Sequence, residues 1–220
     1  MKKVLFLALA ICLCICLIGC NKNKLELPPD NSGEVDPEIG DIKSLIDSKN
    51  ADDFEVAESG DYAIIDVEGY GKMVVCLRED IAPITVENFK NLASQGYYDG
   101  LIFHRVVKDF IVEGGEQNAD GVMSATDMIE GEFKSNGFDN NLSHIRGVLS
   151  MSRTNIPDSA ESKFFIVCKD ACHLDGEYAA FGYIVAGMDV LDKIQSSDVG
   201  SGDKPVSDIV ISSIKLAKLK

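Results

Sequence analysis

Leu101-Ile102-Phe103-His104-Arg105-Val106-Val107, followed almost at once by Phe110-Ile111-Val112-Glu113-Gly114-Gly115, is the stretch that decides the fold. Its two halves, 101–107 and 110–113, are rich in aromatic and β-branched residues, are split by Lys108-Asp109 and end at Gly114-Gly115, the signature of short strands. Upstream, Tyr62 to Glu68 and Lys72 to Leu77 flank Gly69-Tyr70-Gly71 and predict a hairpin. Pro83 to Gln95 predicts a helix: Pro83 suits the first turn, Val86, Phe89 and Leu92 form an apolar stripe, and Gly96 ends it. Downstream come further strand-like runs at 147–151, 163–168 and 179–186, then a short helix from Met188 to Gln195. A last strand over 207–216 alternates through Ile209, Ile211 and Leu216, with Ile214 breaking step. Many short strands and two helices predict a mainly β barrel or sandwich with helical plugs, starting near Asp61.

Composition narrows the function. Hydrophobic residues at 45% can build a core, and charged residues at 26% fit a globular class. The formal net charge is -15, with 36 Asp and Glu against 21 Lys and Arg. That balance speaks against nucleic acid, whose phosphates need clustered cations, and against adhesion to an anionic lipid surface through a basic patch. There is no Gly-x-Ser-x-Gly, no Walker loop and no Gly-x-Gly-x-x-Gly opening a helix after a strand. His104, His144 and His173 lack metal-ligand spacing, and Cys168, Cys172 and His173 make a metal set without a fourth ligand, so no metal is expected.

The segments quoted above, with Arg146-Gly147-Val148-Leu149-Ser150-Met151-Ser152, Ser162-Lys163-Phe164-Phe165-Ile166 and His173-Leu174-Asp175-Gly176-Glu177-Tyr178-Ala179-Ala180-Phe181-Gly182, resemble in order and spacing the cyclophilin family. The resemblance covers roughly Asp61 to Leu216 and includes the helix segment Ala82 to Phe89. It implies an eight-stranded antiparallel β-barrel capped by two α-helices, with a proline-binding groove on its outside. It also implies peptidyl-prolyl cis-trans isomerase activity on proline-containing, unfolded or exported polypeptides, with no cofactor. On this resemblance Arg105 matches the catalytic arginine. Phe110, Ile111, Phe165 and Leu174 match the apolar proline pocket, with Ile111 where methionine is common. Tyr178 falls where histidine is frequent, and His173 where some members carry tryptophan.

The sequence also departs from the family pattern. Glu113 stands where glutamine is usual, beside Arg105, and an ionised glutamate only accepts hydrogen bonds. Lys163 replaces another glutamine and is expected to pair with Glu113. Ser152-Arg153 stands where small-residue and asparagine backbone contacts are usual. These changes keep a second reading open, a cyclophilin-fold binding module with weak or no isomerase activity; a purely structural lipoprotein is a third.

The N-terminus reads as an address. Lys2-Lys3 precede an apolar run from Val4 to Ile18, and Gly19-Cys20 closes it, the layout of a secretory signal over 1–19. Leu17-Ile18-Gly19-Cys20 resembles a bacterial lipobox, so Cys20 is the expected lipidation site and the membrane partner is reached through its acyl chains. The protein is accordingly expected outside the cytoplasm, at the cell membrane, as a monomer. Residues 20–60, with Pro28-Pro29 and Asp36-Pro37, read as a tether, and 41–59 suits either a short helix or more spacer. Cys12, Cys14 and Cys16 leave with the signal; Cys76, Cys168 and Cys172 remain, and a Cys168–Cys172 disulfide is weighed against plain thiols.

Overall fold

The computed structural model describes residues 42–123 and 126–220. The expected signal over 1–19, Cys20 and residues 21–41 of the expected tether lie outside the described residues. Among the described residues nine strands form one antiparallel sheet: β1 Phe54–Val56, β2 Tyr62–Val67, β3 Gly71–Leu77, β4 Leu101–Val107, β5 Ile111–Asn118, β6 Val148–Met151, β7 Phe164–Val167, β8 Ala180–Ala186 and β9 Ile211–Leu219. Their spatial order is β1-β9-β2-β3-β8-β6-β7-β5-β4. No continuous ladder closes the sheet. The β4 edge reaches the β9 end through one bridge, Ile102 to Val210, and through the N–H groups of Phe103 and Gly100, which donate to the carbonyls of Ile209 and Ile211 at 2.9 Å. Eight of the nine strands are those expected; β1 is the ninth, added along β9, with Phe54 opposite Leu219.

Side-chain alternation divides the sheet into two apolar faces. Ala63, Ile65, Val67, Met73, Val75, Phe103, Val112, Phe164, Ile166 and Phe181 point inward into one core. Two helices plug it: α2 Pro83–Ser94 through Val86, Phe89 and Leu92, and α3 Met188–Gln195 through Met188, Leu191 and Ile194. Phe89 anchors the first plug, meeting Phe164 edge-on at 5.7 Å and Phe181 at 5.2 Å between ring centres. Ala82 gives α2 no side-chain cap, and a distant carboxylate supplies one instead. Buried Glu132 accepts from the N–H groups of Ile84 at 3.0 Å and Thr85 at 2.7 Å. That is where a negative charge best satisfies a helix start.

The other face carries a second apolar cluster outside the sheet, running from Phe54, Val74 and Tyr183 to Ile111, Val148 and Phe165. The fold begins earlier than Asp61. The single helical turn Ile42–Leu45 (α1), the 3-10 turn Ala51–Asp53 and β1 all precede that point. The backbone N–H groups of Asp47 and Lys49 donate to Ile184 and Val185, and the Asp47 carboxylate caps α3 by accepting from Gly187 and Met188. This part of the chain is therefore no spacer. Within β1 only Phe54 is buried, with Glu55 and Val56 exposed, so the strand carries too little periodicity to announce itself. The helix over Met188–Gln195 stands as expected. The strand expected over 110–113 runs on to Asn118, and the one expected over 207–216 runs instead from Ile211 to Leu219.

Candidate active site

Strand register assembles the site as one row across the outer face. Arg105 on β4 lies opposite Glu113 on β5, Glu113 opposite Phe165 on β7, Phe165 opposite Ser150 on β6, and Ser150 opposite Ala180 on β8. Residues directly opposite in an antiparallel sheet share a face, so this row sets Arg105, Glu113 and Phe165 side by side. In the next row Val107, Ile111 and Val167 align. A bulge in β4 beside Phe103 helps aim Arg105, and it explains Gly114: a Cβ there would stand 2.7 Å from the Ile102 carbonyl oxygen.

Charge occupies one end of the row. Arg105 is part-exposed, with Nη1 3.4 Å from Glu113 Oε2 and Nε 3.4 Å from Asp203 Oδ2. Glu113 is largely buried, and its other oxygen accepts from the Ser152 hydroxyl at 2.7 Å. Lys163 does reach Glu113, at 3.9 Å, but its main partner is Glu116 at 3.0 Å. The expected Lys163–Glu113 pair is thus the weaker of two, because Glu116 on the same strand offers a closer oxygen. His104 lies 3.9 Å from Glu116; burial first, then Lys163 and Arg105, lower it below its usual value against the pull of Glu113 and Glu116. Its buried Nδ1 has no hydrogen-bond partner among the described residues.

Apolar side chains occupy the other end. Ile111 and Phe165 are buried and form the floor, while Phe110, Leu174 and Tyr178 pack against them part-exposed. His173 is exposed and lies flat on Phe110, 5.6 Å between ring centres, extending the wall. Tyr178 meets Phe165 edge-on at 5.8 Å. Arg153 wedges its guanidinium between the rings of Phe133 and Tyr178, 4.7 and 4.9 Å from their centres, and donates to the carbonyls of Glu177 and Thr154. Arg153 therefore fastens the loop after β6 to the loop before β8, a role its place in the motif did not suggest. The Ser152 hydroxyl donates to Glu113, which ties the loop after β6 to the charged end of the row.

Behind the floor sits an arrangement that sequence order had hidden. His144 Nδ1 lies 2.9 Å from Asp175 Oδ1, and Nε2 lies 2.9 Å from Ser150 Oγ. Burial pushes Asp175 up, but hydrogen bonds from the His144 side chain and backbone N–H, together with the electrostatic pull of His144 and a hydrogen bond from Ser143, hold it below the usual carboxylate value. An ionised Asp175 only accepts, so Nδ1 donates, and in the neutral ring Nε2 accepts the Ser150 proton. The atoms are those of a hydrolytic triad, yet Ser150 and His144 are fully buried and the imidazole stacks on Phe165 at 6.0 Å. No substrate carbonyl can reach Ser150. The three residues brace the pocket floor.

Cys76, Cys168 and Cys172 form no disulfide among the described residues, and burial pushes the Cys168 thiol up to about 12. No group of three or more His, Cys, Asp or Glu suited to a metal ion occurs among the described residues.

The family described as "Cyclophilin type peptidyl-prolyl cis-trans isomerase/CLD" matches residues 62–216. Peptidyl-prolyl cis-trans isomerase A of Dickeya dadantii is 41% identical over 157 residues, 67% of this chain and 80% of that protein. Peptidyl-prolyl cis-trans isomerase cyp18 of Streptomyces antibioticus is 38% identical over 159 residues, 66% of this chain and 93% of that protein. A Cryptosporidium parvum cyclophilin crystallised in the presence of the dipeptide Ala-Pro superposes with a TM-score of 0.63 at 28% identity, over 70% of this chain and 98% of that one. The row of opposed residues on the outer face thus lies within the matched segment, and the chain belongs to the cyclophilin-type peptidyl-prolyl cis-trans isomerases.

Proposed function

We propose that the outer-face groove isomerises Xaa-Pro bonds of exported polypeptides, with Arg105 acting on the twisted amide and the apolar end holding the proline ring. The observation that carries this reading is the register, which sets one guanidinium and one aromatic floor in a single row, two strands apart with Glu113 between them. The prolyl C–N bond resists rotation by about 18–20 kcal/mol because resonance gives it double-bond character. No covalent bond must be made or broken, so neither nucleophile nor general base is required. A site speeds the rotation by holding the twisted form more tightly than either planar one. Twisting pyramidalises the prolyl nitrogen and makes it an acceptor. Arg105 donates from Nη1 to Glu113 and has Nε within ion-pair distance of Asp203, which leaves the N–H groups of Nη2 and the second N–H of Nη1 to donate to that nitrogen. Phe110, Ile111, Phe165 and Leu174 surround the ring, and the Cryptosporidium relative was crystallised in the presence of the dipeptide Ala-Pro, a molecule of the same chemistry.

The location is part of the proposal. A positive start, an apolar run and Gly19-Cys20 support an acylated Cys20 and a site outside the cytoplasm, where newly exported chains fold. Among the described residues no helix is long and apolar enough to cross a membrane. One observation favours the second reading, a binding module with weak isomerase activity: Glu113 lies 3.4 Å from Arg105 and competes for it. Exchange spectroscopy on a short Xaa-Pro peptide decides between the two. Catalysed exchange by the native chain that Arg105→Ala abolishes supports the isomerase; binding without exchange supports the module.

A further inference from the structure

Arg105 is touched by a segment far from it in sequence. Residues 198–206 fold into a small hairpin in which Val199 bridges Pro205, the Gly200 N–H donates to Lys204 at 2.8 Å, and the Val206 N–H donates to Asp198 at 2.8 Å. At its tip is the 3-10 turn Ser201–Asp203, where Gly202 has φ 70° and Asp203 φ 59°. Glycine takes that left-handed conformation freely; for aspartate it is uncommon. The result brings the Asp203 carboxylate to Arg105 Nε at 3.4 Å, with the two side chains 38% and 47% exposed for arginine and aspartate. Glu113 holds Nη1 from the other strand at 3.4 Å.

We infer that Asp203 is a positioning residue for the isomerase reaction, fixing the plane of the Arg105 guanidinium so that Nη2 faces the bound prolyl amide. This rests on the reading of Arg105 given above. A long, part-exposed arginine has many rotamers, and each hydrogen bond it makes in the reaction must overcome that freedom. Two carboxylates at different nitrogens remove rotation about the end of the side chain, which neither does alone. Asp203 has no part in holding the proline ring, whose pocket lies at the other end of the row. Its effect therefore falls on kcat and leaves KM unchanged. Because the pair is exposed, salt weakens it.

The test uses the full chain and an uncharged Xaa-Pro peptide. Asp203→Asn removes the charge and still tolerates the left-handed backbone, so folding is preserved. The expected result is a two- to fivefold fall in kcat at low salt, about what an exposed ion pair supports, with KM unchanged. Raising the salt brings the native rate down to that of the variant, whose own rate stays flat. Asp203→Glu restores part of the loss. Independently of turnover, the Arg105 Nε–Hε NMR signal, assigned by its disappearance in Arg105→Lys, shifts toward that of a free arginine in Asp203→Asn. An unchanged signal overturns the contact. A shifted signal with unchanged kcat overturns the positioning role. A native chain that shows the shift but no catalysis at all sinks the isomerase reading, and this inference with it, while leaving the ion pair in place.

Discussion

The two ends of the groove obey different physics. At the apolar end, Ile111 and Phe165 are buried and continuous with the outer-face cluster, so the pocket floor is also part of the fold. At the charged end, Arg105, Glu113, Lys163, Glu116 and Asp203 form a chain of ion pairs with both signs represented, several of them part-exposed. Hydrophobic burial is non-directional and forgiving of shape, which is why isoleucine can stand for methionine at 111. Ion pairs depend on atom positions to fractions of an ångström, and removing one partner redirects the others. Changes at the apolar end should therefore register in stability and substrate affinity together, and changes at the charged end in rate alone.

Phe165→Ala breaks this contrast most severely. Emptying the buried floor should cost about 3–5 kcal/mol of unfolding free energy, seen in urea titration, and raise KM for proline peptides. A variant of native stability would mean that Phe165 belongs to the site alone. Arg105→Ala comes next: catalysis should fall on the order of a hundredfold, about 2.7 kcal/mol, with the urea midpoint unmoved. A large loss of stability there would abolish the distinction between the two ends. Glu113→Gln sharpens it. With Asp203 alone left to fix the guanidinium, Arg105 should turn over peptide several-fold more slowly, about 1 kcal/mol in the barrier, and a faster variant would show that Glu113 competes with the substrate for Arg105.

The smallest effect concerns acid. His104, held below its usual value of 6.5 chiefly by burial, stays neutral in the fold while the unfolded chain takes up a proton. Its contribution to stability is whole above pH 6.5 and is lost as the pH falls from there toward the lowered value in the fold. His104→Gln should flatten the fall in melting temperature between neutral and mildly acidic pH. An identical slope in both proteins would show that His104 is not the group responsible.

Much of the fold was legible because periodicity and turn chemistry are local. The hairpin around Gly69-Tyr70-Gly71, the helix beginning at Pro83 and the helix Met188–Gln195 each follow from a few neighbouring residues. The resemblance to the cyclophilins likewise named Phe110, Ile111, Phe165, Leu174 and Tyr178, which the structure gathers into one apolar cluster. It did not show that His144 and Asp175, from separate segments, meet Ser150 beneath Phe165, nor that Arg153 lies between Phe133 and Tyr178. Strand β1 escaped notice because one buried phenylalanine makes no pattern, and its partner β9 is at the far end of the chain.

By itself the sequence determined which residues are apolar at strand and helix spacing, and therefore which elements form and what kind of groove they make. It also determined the chain's acidity. Only the tertiary structure decided which charges meet. Glu113 takes Ser152 and Arg105, Lys163 turns to Glu116, and Asp203 arrives at Arg105 from a distant hairpin. The reason is physical. Burial of an apolar residue is set by its own chemistry and the period of its element, whereas an ion pair exists only where register and loop geometry bring two particular atoms within a few ångströms.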